Sequence, residues 1–309
     1  MIERNPTLDW ITHLVLILGS LLAILPLWFV FVAATLSIQE INAPHLNLLP
    51  GEHFFENLTA AWGRTNLGLK LLNSLFVSIA VAFGKILFAS LTAFAIVFFR
   101  FPGRQIVFWM IFITLMLPLE VRIVPTYAVA SNVFQPLKSI LDILGLTYVL
   151  NLFNIKFELS WNLLNSYTGL ILPLIATATG TFLFRQFYMN IPDELIDAAK
   201  MDGAGPIRFY IEILWPLSQT TIAALFTIMF LYTWNQYLWP LLIITDRQHF
   251  GTAVMALREI IPLSGDSTGG GTPDWNVAMA AALIVMSPPI LMVVFMQKFF
   301  IKGLVSIDK

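Results

Sequence analysis

Long apolar runs recur along this chain, parted by short polar stretches. A helix that crosses hydrocarbon needs roughly 20 apolar residues. Six segments approach that length: about 11–36, 71–98, 105–128, 166–188, 213–242 and 275–300. Pro26 marks an expected kink in the first, and the second is apolar except for Lys85. The third is the weakest, because Pro118 and Pro125 interrupt it and only a short uncharged run separates Arg104 from Glu120. Asn235 and Gln236 lie in the fifth, and Pro288-Pro289 in the sixth. The pattern predicts an all-α polytopic membrane protein with six transmembrane helices, forming a single membrane domain over 1–309.

The polar stretches are as informative as the apolar ones. Residues 190–216 hold Asp193, Glu194, Asp197, Lys200, Asp202, Arg208 and Glu212 between two apolar runs. Such a stretch cannot lie in hydrocarbon. Pro192 suits a first helical turn, and Asp193 and Glu194 complement the positive end of a helix dipole. Leu195, Ala198, Ala199 and Asp202 recur at helical spacing, Gly203 suits the stop, and Pro206 opens a second short helix with Ile207, Tyr210, Ile211 and Leu214. The prediction is a helix–turn–helix on the membrane surface between the fourth and fifth spans. Its face of small residues is offered to another molecule.

Lysine and arginine placement sets the orientation. With the N-terminus inside, short cytoplasmic pieces carry Arg4, Arg100, Arg104, Lys200, Arg208, Lys302 and Lys309. The longer outer loops, about 37–70, 129–165 and 243–274, with the adjoining span end, carry Arg64, Lys70, Arg122, Lys138, Lys156, Arg247 and Arg258 at lower density. This puts both termini and the 190–216 loop in the cytoplasm. The charge-free run from Trp10 to Gln39 is far longer than a signal-peptide core of about 7–15 residues, so the first span is expected to stay uncleaved. Within the outer loops, Ile140 to Phe153 is an apolar patch suited to an interfacial helix. Gly269-Gly270-Gly271 suits a flexible or closely approaching segment.

Composition narrows the chemistry. The chain is 58% hydrophobic and 11% charged, with mean hydropathy +0.81, against about 25% charged residues in an ordinary soluble domain. A net charge of −1 offers nucleic acid no basic surface, and the absence of cysteine excludes disulfide and thiolate chemistry. No Gly-x-x-x-x-Gly-Lys-Ser/Thr loop is present to bind ATP. His13, His45, His53 and His249 have no metal-ligand spacing. Lys85, Glu120 and Arg122 are ionisable residues near membrane depth, where charge is costly and usually functional. Lys85 also fits a snorkelling or intrabundle role, and Glu120 with Arg122 fits an interfacial pair. Asn235, Gln236, Tyr237 and Trp239 fit either the lining of a translocation path or an aromatic belt at a Pro-broken helix end.

The order of residues in the 190–216 loop adds a resemblance. Asp-Ala-Ala-x-x-Asp-Gly-Ala, from Asp197 through Ala204, followed by Pro216, resembles the loop signature of bacterial ABC importer permeases, whose pattern opens with Glu where this chain has Asp197. Asn73-Ser74-Leu75, Ala93-Phe94-Ala95, Arg100 to Arg104 and Trp234-Asn235 resemble the second permease subunit of carbohydrate-type importers, the class of the maltose system. Phe108 to Pro118, Glu120 to Ile123, Thr181 to Phe187 and Trp234 to Asp246 resemble most closely that subunit of importers for sn-glycerol-3-phosphate. Residues 131–163 are longer than the usual connection.

The resemblance implies an assembly rather than an enzyme. A second, different permease subunit would complete the pore and two copies of an ATPase subunit would bind ATP and magnesium, with no cofactor on this chain. A periplasmic binding protein would deliver sn-glycerol-3-phosphate, and glycerophosphodiesters by extension, across the inner membrane. Glu194, Asp197, Ala198, Ala199, Asp202, Gly203, Ala204 and Pro216 would couple to the ATPase. Arg122, Glu120, Asn235, Gln236, Tyr237 and Trp239 would belong to the path. A sugar or oligosaccharide importer of the same class is the alternative. An ion-coupled transporter would show carboxylates within its spans and inverted repeats, and a membrane-embedded enzyme a polar cluster at depth; neither pattern is seen.

Overall fold

In lipid a backbone N–H finds no water, so each apolar run must close its hydrogen bonds within itself. The computed structural model describes residues 6–45, 47–114, 117–147, 159–176, 178–261 and 274–305, without the side chains of 6, 7, 119, 120 and 300–305. Every regular element among the described residues is helical. Three runs form long helices: Pro6–Thr35, with Pro26 inside it, Leu67–Phe98 and Trp275–Val305. The expected spans 11–36, 71–98 and 275–300 lie in these three.

The other three expected spans are broken, and proline explains where. In 105–128 the helix Arg104–Ile113 is followed by a separate helix, Leu119–Ser131, whose N-cap is Pro118 at φ −60°, ψ 153°. A proline at that point forces its predecessor out of helical geometry. Residues 166–188 form Tyr167–Ile175 and Ala178–Met189, bent by 45°. Pro173 cannot donate to the carbonyl of Gly169, four residues back. Trp239 Nε1 donates to that carbonyl instead, at 3.3 Å.

The 213–242 segment breaks twice. Pro206–Leu217 meets Gln219–Trp234 at a 73° bend, and the chain resumes as Leu238–Ile243 only after Asn235, Gln236 and Tyr237. Pro216 has no N–H for the Glu212 carbonyl. The helix answers with a π turn over Tyr210–Leu214, in which Trp215 N donates to Tyr210 O. Ser218, fully buried at the bend, donates from both its backbone N and its Oγ to Leu214 O.

Two units emerge. One comprises Met1–Leu69 and Ala256–Pro288. Its core holds Ala34, Ala61, Ala278, Ala280 and Ala281, and small residues let helix backbones approach closely where packing rather than hydrophobicity drives association. Asn57, buried within it, donates through Nδ2 to Ala34 O and Leu36 O, both at 2.9 Å, and accepts from Asn276 Nδ2 at 2.8 Å. The stretch read as an outer loop at 37–70 contains the helix Phe54–Gly63, which ends where Thr65 and Asn66 take positive φ.

The second unit comprises Lys70–Met255 and Pro289–Lys309. Val77, Val81, Leu170, Leu174, Trp239 and Ile243 pack at its centre. The apolar patch expected at Ile140 to Phe153 begins in the helix Gln135–Ile143, and its part beyond residue 147 lies outside the described residues. The Gly269-Gly270-Gly271 segment also lies outside them, as do Arg4 and Lys309.

Candidate functional site

The 190–216 loop is a pair of short helices with well-defined ends. The first runs Asp193–Met201; Pro192 caps it from outside rather than occupying its first turn. It ends in a Schellman motif: Gly203 N donates to Lys200 O and Ala204 N to Ala199 O, both at 3.0 Å, with Gly203 at φ +72°. Pro206 then starts the second helical segment.

Burial divides this loop sharply. Ala199 faces inward, whereas Glu194, Leu195, Asp197, Ala198, Asp202 and Gly203 are exposed and Ala204 is half-buried. Met201 and Ile207 are 83% and 75% exposed, an apolar surface beside the carboxylates. Asp197 accepts from Lys200 Nζ at 2.9 Å, and Arg208 Nε donates to Glu212 at 2.8 Å. These pairs are solvated and contribute little stability. The neighbouring Glu212 carboxylate, by hydrogen bond and by charge, raises the Arg208 guanidinium further above its ordinary value.

What holds the loop is aromatic. Phe209 and Tyr210 are buried against the end of the Leu67–Phe98 helix: the Phe209 ring lies 5.4 Å from Phe98, and Tyr210 lies 5.1 Å from Phe94. Tyr188, from the Ala178–Met189 helix, packs on Phe98 at 5.9 Å. Ser90 Oγ and Tyr210 OH share a hydrogen bond of 2.6 Å. The second helical segment, with Pro216 in it, is thus fixed to the Leu67–Phe98 helix, on which the Ala178–Met189 helix also packs through Tyr188.

A second feature is a cavity of about 910 Å³ lined by residues of six helical segments, with Lys85, Arg122, Tyr232 and Gln236 as its most polar groups apart from threonines. That volume falls within the range of roughly 300–1,000 Å³ for ligand sites. Lys85 is only 6% exposed, and its Nζ stands 4.4 Å from the centre of the Tyr232 ring. Arg122 Nε is buried without a hydrogen-bond partner. Among the described residues the lining contains no carboxylate.

Of the expected path residues, the structure brings Arg122 and Gln236 to this cavity. Trp239 is fully buried in the core, Asn235 caps the Gln219–Trp234 helix in an exposed position, and Tyr237 caps Leu238–Ile243. Glu120 stands in the Leu119–Ser131 helix, but its side chain lies outside the described residues. Tyr232 was missed by the sequence reading. Its only signal is a helical spacing of four residues before Gln236.

Asn73 and Ser74 acquire a role too. Asn73 Nδ2 donates to His249 O and Gly251 O at 2.8 and 3.0 Å, Tyr167 OH donates to Asn73 Oδ1 at 2.8 Å, and Ser74 Oγ accepts from Ala253 N at 2.8 Å. They clamp the segment after the fifth expected span.

Comparison with known proteins sets these features in context. The family model for binding-protein-dependent transport system inner membrane components matches residues 85–306. The chain belongs to that family. The match begins at Lys85 and takes in the 190–216 loop and the described lining of the cavity. The chain is 47% identical to the sn-glycerol-3-phosphate transport system permease protein UgpE of Escherichia coli O6:K15:H31 and 45% identical to those of Pectobacterium atrosepticum and Yersinia pestis, over all of both chains in each case. Among solved structures it resembles a chain of a bacterial ABC transporter involved in the import of the acidic polysaccharide alginate. The TM-score is 0.71 at 18% identity, covering 97% of this chain and 99% of that one, and at such identity the likeness concerns the fold alone. This family member is therefore an all-α inner-membrane permease of the ABC importer type.

Proposed function

We propose that the chain is one of two different permease subunits of an ATP-driven importer for sn-glycerol-3-phosphate, with glycerophosphodiesters as further cargo. The observation that carries this reading is the 45–47% identity, end to end, with permeases of that transport system. Two copies of an ATPase subunit bind ATP and magnesium beneath the pair, and a periplasmic binding protein delivers the cargo. This chain binds no cofactor and catalyses no step.

Six spans form one membrane domain, with both termini and the 190–216 loop in the cytoplasm. Glu194, Asp197, Ala198, Asp202, Gly203 and Ala204 seat against the ATPase, while Ala199 packs the first helix inward and the exposed Pro216 sets the π turn of the second. The aromatic anchoring of Phe209 and Tyr210 supports this reading: closure of the ATPase dimer, acting on the loop, would be carried into the Leu67–Phe98 and Ala178–Met189 helices and rock them between outward- and inward-facing states. ATP drives the cycle only through contacts that differ between those states.

The test is reconstitution of the assembled importer in proteoliposomes with its binding protein. ATP-dependent uptake of labelled sn-glycerol-3-phosphate is expected. An assembly that moves an oligosaccharide and no phosphate ester would overturn the substrate.

A further inference from the structure

We infer that Lys85 and Arg122 form a binding site for the phosphate group of a phosphate monoester within the membrane part of this subunit. The inference deepens the proposed function and rests on its reading of the cargo as a phosphate ester.

The argument begins with position. Lys85 stands thirteen residues before the end of the Leu67–Phe98 helix, about 20 Å at 1.5 Å per residue. A lysine stem is too short to bring its ammonium from there to a membrane surface. The side chain is 94% buried, and it makes no hydrogen bond or ion pair among the described residues; its one contact of note is the face of Tyr232. A cation on a ring face is only partly compensated.

Arg122 comes from the Leu119–Ser131 helix and lines the same cavity, its Nε buried and unpaired. The two like charges thus face one space. With no carboxylate in the described lining, two like charges within the membrane part are a costly arrangement. An entering dianion reverses its sign.

A phosphate monoester fits this site chemically. It carries about −1.5 to −2 charges at neutral pH and three strong acceptor oxygens. Arg122 supplies directional donors and Lys85 a point charge. Gln236 and Thr114, also on the wall, have amide and hydroxyl groups suited to the cargo's own hydroxyls. The cavity is far larger than a three-carbon phosphate, so the anion is held at one wall and not enclosed. Weak, one-sided holding suits a transport path, where cargo must leave as readily as it enters. A neutral sugar would leave both cations unpaired, so the site also selects against it.

The test uses the assembled importer in proteoliposomes, with Lys85→Met, Lys85→Arg and Arg122→Gln in this chain. Uptake of sn-glycerol-3-phosphate and ATP hydrolysis stimulated by the binding protein are read together. Lys85→Met and Arg122→Gln are expected to lower uptake on the order of tenfold or more, the scale of a lost charge-assisted hydrogen bond. Stimulated hydrolysis and subunit assembly should be retained, and Lys85→Arg should keep most of the uptake. Wild-type uptake in both neutral variants would overturn this inference alone. Loss of assembly and hydrolysis in parallel with uptake, unrescued by Lys85→Arg, would mark a structural role and overturn it too. A wild-type assembly that moves no phosphate ester would overturn the substrate reading and this site with it. The assay is repeated with and without phosphatidylglycerol in the vesicles; a defect seen only with that lipid would assign the charges to lipid head groups and overturn the inference.

Discussion

Gly203 separates the folding of the 190–216 loop from its docking. Its φ is +72°, and a Cβ built on it meets nothing within 4 Å in this chain. Substitution there costs only the left-handed backbone, roughly 1–2 kcal/mol for an L-residue, partly offset by the smaller entropy of the unfolded chain. Gly203→Ala and Gly203→Leu should therefore lose about the same stability, near 1 kcal/mol, because the extra atoms of leucine also enter open space. If the loop seats in a groove on the ATPase, those atoms meet the partner, and overpacking of a tight contact costs about 1–3 kcal/mol, roughly a 5- to 150-fold loss. The assay measures thermal stability of the solubilised subunit beside uptake and stimulated ATP hydrolysis of the assembly. The expected result is equal stability for the two variants, with activity of the leucine variant lower than that of the alanine variant by roughly that 5- to 150-fold factor. Equal transport by both variants would show that Gly203 faces nothing in the working assembly and would refute the docking argument.

Phe209→Ala removes a ring packed on Phe98; a loss of about 3–5 kcal/mol is expected in unfolding of the purified subunit, and Tyr210→Phe, which loses only the Ser90 hydrogen bond, should cost far less. Asn73→Ala unpairs the carbonyls of His249 and Gly251 and the hydroxyl of Tyr167. It should cost about 1–3 kcal/mol for each group left buried and speed proteolysis between residues 245 and 253; an unchanged cleavage rate would remove the clamp from the account. His249, mainly by hydrogen bond, holds the Asp246 carboxyl below its ordinary value of 3.8. A depressed carboxylate stabilises the fold above its unfolded value, and that contribution disappears as pH falls through the lower folded value. The exchange protection factor of the amide at position 249 should therefore fall on acidification below the ordinary aspartate range, and His249→Ala, which removes the side-chain bond and leaves the backbone bonds from 248 and 249, should shrink that step.

Much of the local structure was legible from residue type. Gly203 could be read as a helix stop because only glycine takes positive φ without penalty, and it sits at +72°. Pro118 could be read as an interruption because a proline has no N–H and crowds its predecessor, and a new helix begins just after it. The small, polar loop between two apolar runs was equally plain. The clamp was not: Asn73 and Ser74 were visible as residues, but the backbone groups they hold lie more than 170 positions away, and Tyr167 lies 94 away. Residues 37–70 were read as a loop because their charges masked the face that Ala61 buries in the Phe54–Gly63 helix.

The sequence by itself determined what must be local: which runs are apolar enough for lipid, where proline and glycine end helices, and which loop is polar. Tertiary structure alone decided what depends on direction. The 73° turn at Ser218 is set by a buried hydroxyl and a π turn before Pro216, and the anchoring of the 190–216 loop by where Phe209 and Tyr210 meet Phe98, Phe94 and Ser90. Lys85 and Arg122 are 37 residues apart on different helices, and nothing in their neighbours along the chain says that they share one cavity. Periodicity records which face of a helix is apolar, whereas the azimuth and bend of each helix against the others arise from packing, and those bring the two cations to one cavity.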